Sequence, residues 1–138
     1  MGNKIVIDDG RKEFVIENKL GEELFRFSLN PSDTNIVKRY DEVAEDFARL
    51  DDMVKEDNFI ESLKEAEKFI CEKLDFILGY PVSDKFFSLM GAFTPLANGK
   101  LYLEVVFETI GNVISSETGA RVKKLTANLS KYTRKYHG

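Results

Sequence analysis

Phe27-Ser28-Leu29-Asn30-Pro31-Ser32-Asp33-Thr34-Asn35-Ile36-Val37-Lys38-Arg39-Tyr40 is the stretch where the apolar pattern changes period. On its N-terminal side, Phe25, Phe27 and Leu29 alternate with Leu24, Arg26 and Ser28, the two-residue period of a strand with one buried face. On its C-terminal side, Ile36, Tyr40, Val43, Phe47, Leu50 and Val54 recur at spacings of four and three, the stripe of an amphipathic helix. Asn30-Pro31-Ser32-Asp33 reads as the helix start. Asn30 can cap, Pro31 suits the first helical position because its missing N–H is not needed there, and Asp33 lies near the positive end of the dipole. A strand that runs straight into such a helix predicts an α+β fold.

Upstream, Ile5-Val6-Ile7 followed by Asp8-Asp9-Gly10 reads as a strand and a hairpin turn, since Gly10 accepts positive φ cheaply. Lys12 to Glu17 gives a second strand with Phe14 and Ile16 on one face and Val15 on the other. Asn18-Lys19-Leu20-Gly21 turns the chain into the third strand, Glu23 to Leu29. Residues 1–30 are therefore expected to form a three-stranded antiparallel meander. It is too small to stand alone and must pack on the helices that follow.

Downstream, the first stripe fails at Asp57, and Asn58-Phe59-Ile60-Glu61 resembles a capping box opening a second helix. That helix carries Phe59, Leu63, Ala66, Ile70, Leu74 and Ile77 and stops at Gly79-Tyr80-Pro81. Residues 31–56 and 58–78 form either a helical hairpin or one long rod. An unbroken rod would reach roughly 70 Å at about 1.5 Å per residue, and a compact chain of this size favours the hairpin. Ser83 to Phe93 suggests a short apolar helix, closed by Thr94-Pro95 and the Asn98-Gly99 turn. Leu101 to Phe107 suits either a strand or a helix. The spacing of Leu103, Val106, Phe107, Ile110 and Ile114 predicts helix, completing a helical body over 31–114. Beyond the polar joint at 115–119, Val122, Leu125, Leu129, Tyr132 and Tyr136 form a narrow stripe among cations, an amphipathic basic helix over 119–137. With no repeat and no low-complexity linker, residues 1–138 read as a single domain.

Charge is unevenly placed along the 138 residues. The net charge is −4, yet all 24 acidic residues lie in 1–119 with 14 basic ones, and the last 19 residues hold six cations and no acid. Arg121, Lys123, Lys124, Lys131, Arg134 and Lys135 either dock on the acidic body of this or a neighbouring chain, or meet an external acidic partner. Phosphate binding by these cations would weaken steeply with salt. The accompanying apolar stripe asks for a groove in a protein partner instead. Membrane binding is disfavoured, because the stripe lacks Trp and Phe anchors and no run approaches the roughly 18 apolar residues of a spanning helix.

Catalytic material is sparse: one His, one Cys and no Trp. His137 is one residue from the end, and Cys71 has no histidine beside it to favour a thiolate. Neither a four-ligand zinc set nor a glycine-rich phosphate cradle occurs. Glu42 with Asp46, and Glu104 with Glu108, are i,i+4 carboxylate pairs that read first as solvated acidic faces. The expectation is a non-enzymatic protein with no cofactor and no metal, in a reducing cytoplasm because the lone Cys71 has no disulfide partner. Candidate partner-binding residues are Phe86, Phe87, Met90 and Phe93 on the short apolar segment, and Arg121, Lys124, Leu125, Leu129 and Tyr132 on the basic one.

The stretch Phe27 to Tyr40, preceded by the Ile-rich hairpin and Asn18-Lys19-Leu20-Gly21-Glu22, resembles small tail-module proteins of siphophages and prophages of Gram-positive bacteria. In size and helix order the chain is similar to tail assembly chaperones. The resemblance implies a bacterial cytoplasmic, oligomeric protein that binds the tape measure protein, or another tail protein, during morphogenesis. It assigns no role to a numbered residue. The alternatives are a structural tail or connector subunit retained in the virion, and a small nucleic-acid-binding accessory protein using the basic C-terminal helix.

Overall fold

In the computed structural model, residues 2–119, 125 and 127–132 are described. Their order is β1 (Lys12–Glu17), β2 (Glu23–Leu29), α1 (Thr34–Phe47), a 3-10 turn (Leu50–Asp52), α2 (Phe59–Leu78), α3 (Ser83–Phe87) and α4 (Tyr102–Thr118). Residues 125 and 127–132 are helical and return to the body. The fold is α+β.

The described sheet has two strands, not the three expected. β1 and β2 pair antiparallel, with Phe14 opposite Phe27 and Ile16 opposite Phe25. Ile5, Val6 and Ile7 are in no strand and are 84%, 93% and 80% exposed. The Asp-Gly turn signal fails because the chain at 8–10 is held in another shape. The two-residue hairpin turn needs positive φ at both central residues, and among the described residues only glycines have it, Gly10 at 71°. The Asp8 and Asp9 carboxylates instead accept from the N–H groups of Gly10 and Arg11 at 2.9 and 3.0 Å. Asn30 Nδ2 holds the Asp9 carbonyl at 2.9 Å. A Cβ at Gly10 would lie 2.6 Å from that same Asn30 nitrogen, so the approach also requires glycine.

Asn30 is thus not the helix cap. It is spent on the Asp9 carbonyl and on the Ser32 N–H at 3.0 Å. Residues 30–33 close a turn, and the cap falls to Asp33, whose carboxylate accepts from the Asn35 N–H at 2.9 Å. α1 starts three residues after Pro31 and ends at Phe47; its stripe continues through the 3-10 turn to the buried Leu50.

α1 and α2 form the hairpin. Arg39 Nε donates to the Ile77 carbonyl at 3.0 Å, Lys73 pairs with Asp46 at 2.8 Å, and the Phe47 and Phe69 rings meet edge to face at 5.7 Å, an antiparallel sequence of contacts. The Ser62 hydroxyl fixes the linker, accepting from the Lys55 N–H at 3.0 Å. Asn58 is the residue before α2, but its side chain makes no capping hydrogen bond. Gly79, at φ 81°, ends α2 at the predicted stop.

α3 is shorter than its expected 83–93. It stops at Phe87, and a turn and an isolated bridge between Pro95 and Leu101 lead to α4. Leu101 to Phe107 is indeed helical beyond Leu101, and α4 runs on through the predicted polar joint to Gly119, the C-cap. α4 is central. Tyr102, Leu103, Glu104, Val106, Phe107, Ile110, Gly111 and Ile114 are buried, which spreads over too many faces for a simple amphipathic stripe. Phe107 packs edge to face on Phe47 at 4.9 Å, and the Tyr40 hydroxyl donates to the Phe107 carbonyl at 2.7 Å, tying α1 to α4. The sheet covers one end of this core, where Phe25 and Phe27 pack on Phe86 of α3 at 4.8 and 5.1 Å.

Candidate protein-docking surface

The residues expected to bind a partner divide between core and surface. Phe86 is interior: it packs on the sheet, and its carbonyl accepts from the Tyr102 hydroxyl at 2.8 Å. Leu125 and Leu129 are fully buried and Tyr132 nearly so. The described part of the C-terminal apolar stripe, Leu125, Leu129 and Tyr132, therefore has a groove already, in this chain's own body. Asn128 Nδ2 reinforces the docking by donating to the Ala44 carbonyl of α1 at 2.7 Å, and Ser130 Oγ lies 3.0 Å from Glu104 Oε1 of α4. Phe86, Leu125, Leu129 and Tyr132 thus serve the fold, because burying them here removes the same apolar area that a partner would. Arg121 and Lys124 lie outside the described residues, as do Val122, Lys123, Arg134, Lys135, Tyr136 and His137.

What stays at the surface is the segment between α3 and α4. Phe86 at its start and Ala92 near its end are buried, while Leu89 and Met90 between them are each 37% exposed. Phe87 and Phe93 are half-buried on either side and packed edge to face on Tyr102 and Tyr132. Backbone bonds hold the return path: the Leu103 N–H donates to the Ala92 carbonyl and the Tyr102 N–H to the Thr94 carbonyl, both at 2.9 Å. The segment is a pinned loop that presents two flexible apolar side chains. Sequence periodicity suggested this run but assigned it to a helix, because Phe86, Phe87, Leu89, Met90 and Phe93 have helical spacing whether or not Gly91 interrupts them.

Further exposed apolar groups lie elsewhere: Ile5, Val6 and Ile7 before β1, Phe59 and Ile60 at the start of α2, and Phe76 on its outer face. Phe76 lines a wide, shallow depression with Arg39, Asp75, Tyr80 and Pro81. The Asp75 carboxylate beside it is committed, accepting from the N–H groups of Val82 and Ser83 at 2.8 and 2.7 Å and bonding the Ser83 hydroxyl at 3.0 Å.

Several titratable groups are engaged in structural contacts. Burial raises the Cys71 thiol above its ordinary value, which a hydrogen bond with Ser83 partly offsets and nearby acids reinforce, so thiolate is scarce at neutral pH. Burial raises Tyr40, with Glu108 adding to it, and burial raises Tyr102. The carboxylate pairs read from sequence are split: Asp46 meets Lys73 and Arg49, Glu108 meets Lys100 at 2.7 Å, and Glu104 is buried against Ser130. Among the described residues no group of three or more His, Cys, Asp or Glu is placed to hold a metal ion. None of the described helices is long and apolar enough to cross a membrane.

Comparison with protein-family models, with curated proteins and with solved structures returns no match for this chain.

Proposed function

We propose that this chain is a non-enzymatic assembly chaperone of phage or prophage tails, which binds the tape measure protein in the bacterial cytoplasm while the tail is built. The resemblance over Phe27 to Tyr40 motivates the reading, and one observation supports it physically: the pinned loop that holds Leu89 and Met90 at the surface between buried Phe86 and Ala92. Methionine and leucine on a fixed backbone suit a client presenting an apolar helical face, because their unbranched or mobile ends adapt to irregular surfaces. A long client would be held through many such weak contacts by several copies, and released when tube subunits compete for it.

The experiment is co-expression with the tape measure protein of the tail operon in which this reading places the chain, followed by affinity purification. The wild-type chain is expected to keep that protein soluble and to co-purify with it, and L89D/M90D to lose most of the co-purified material while keeping its own melting temperature. An insoluble client in the presence of the wild-type chain, or equal recovery with L89D/M90D, would overturn the reading.

A second reading, a structural subunit retained in the virion, is favoured by the outer edge of β1, where among the described residues nothing hydrogen-bonds the backbone of Glu13 or Val15. Mass spectrometry of purified particles separates the two: a chaperone is absent from them, and a structural subunit is present in fixed stoichiometry.

A further inference from the structure

The two edges of the sheet are treated differently. On β2, the Tyr80 hydroxyl binds both backbone groups of Ser28, and Lys85 Nζ donates to the Arg26 carbonyl at 2.8 Å. These contacts occupy three outward-facing backbone groups of that strand, the Arg26 carbonyl and both groups of Ser28, and cover its edge there. They also fix the phase of the ladder. Since Arg26 and Ser28 face away from β1, their partners Val15 and Glu13 face away from β2. Among the described residues, nothing hydrogen-bonds the backbone of Glu13 or Val15. Beside this open edge the chain carries Ile5-Val6-Ile7, three consecutive β-branched residues at least 80% exposed, which the Asn30 clamp on Asp9 keeps out of the local hairpin.

We propose that residues 4–9 of one copy add as an antiparallel strand to the β1 edge of a second copy. One register satisfies the residues on both sides. With Val6 opposite Val15, Ile5 and Ile7 fall opposite Ile16 and Phe14, extending the apolar face of the sheet, whose Phe14 and Ile16 are only partly covered. The same register sets Lys4 opposite Glu17, and Asp9 opposite Lys12, which Glu117 already meets at 3.4 Å within the chain. Asp8 falls opposite Glu13, whose carboxylate Arg26 already neutralises at 2.7 Å. A slip of one residue would turn Ile5 and Ile7 to the solvent face, so the register is well specified. The occupant is a second copy of this chain, because this strand's charges and apolar faces complement the open edge, while its own turn withholds it from that edge.

Two proline variants test the proposal on the full-length protein by light scattering after size exclusion. Val6 is exposed and Val15 points its N–H away from β2, so V6P and V15P each remove one donor of the proposed pair without removing a bond of the β1–β2 ladder. The wild type is expected at a multiple of the 15.8 kDa chain mass, each variant at the single-chain mass with unchanged near-UV circular dichroism, and an equimolar mixture at two chains. That recovery follows because V6P keeps an intact edge and V15P an intact strand. Should V15P misfold, charge reversal replaces it: K4E and E17K each weaken association and K4E/E17K restores it. A wild type at single-chain mass, an oligomer indifferent to these changes, or variants that fail to recombine would overturn the proposal.

Discussion

The Tyr80 hydroxyl accepts the Ser28 N–H at 3.0 Å and donates to the Ser28 carbonyl, so one side chain occupies both backbone groups of a β2 residue 52 positions earlier in the chain. The contact docks the sheet on the end of α2 as well as closing its edge. Tyr80→Phe leaves both Ser28 groups to water at a partly buried site and is expected to cost about 1 kcal/mol in urea unfolding. Amide exchange at Ser28 should accelerate roughly fivefold or more. Unchanged exchange at Ser28 would show that the hydroxyl does not secure the edge.

The Tyr40 hydroxyl, donating to the Phe107 carbonyl inside the core, makes stability depend on alkaline pH. Burial is the larger cause of its raised pKa and Glu108 the smaller. The folded value thus lies above the unfolded one of about 10. The contribution is complete below the unfolded value and is lost as pH climbs past it toward the folded one, because only the unfolded chain then releases the proton. Tyr40→Phe is expected to cost about 1 kcal/mol at pH 7, since the Phe107 carbonyl is left within a helix that can still use it. The melting temperature of the variant should fall less than that of the wild type between pH 9 and 11. Parallel pH profiles would remove the assignment.

Asp75 does the work of an N-cap for a helix it does not belong to, taking the Val82 and Ser83 N–H groups at the start of α3 from a position in α2. Asp75→Ala is expected to destabilise by about 2 kcal/mol, the scale of a lost cap with a charged acceptor. It should also loosen the Phe25–Phe86 and Phe27–Phe86 contacts that α3 carries, visible as a reduced near-UV signal. A loss below about 0.5 kcal/mol would mean that water replaces the carboxylate.

Strands Lys12–Glu17 and Glu23–Leu29, the stripes of α1 and α2 and the stop at Gly79 were legible because each is decided within its own segment: alternation, a stripe, a glycine that can take positive φ. The missing third strand was not legible, because Asp8-Asp9-Gly10 is held by Asn30, 20 residues beyond Gly10, and no local pattern announces that clamp. Capping by Asp33 in place of Asn30 has the same origin. On the docking surface, periodicity identified apolar residues but not which side of the boundary they occupy. Phe86, Leu125 and Leu129 have the same character as Met90, and only the tertiary packing, the sheet against Phe86 and the helical body around Leu125 and Leu129, decides that the first three are interior. The edge-blocking roles of Tyr80 and Lys85 left no signal in sequence, since a loop tyrosine and a surface lysine suggest nothing until β2 lies beside them.

α4, which seals the core, is encoded in the last third of the chain. During synthesis the α1–α2 hairpin is made before α4, and it carries Phe47 without the Phe107 ring that later packs on it, together with Ile70 and Leu74 of the same core. The nascent chain therefore exposes a greasy seam on the ribosome until residues past 110 have been added, and its final closure is a late event. Shortened products ending before α4 are accordingly expected to be sticky, the early half being unable to bury what it has already made.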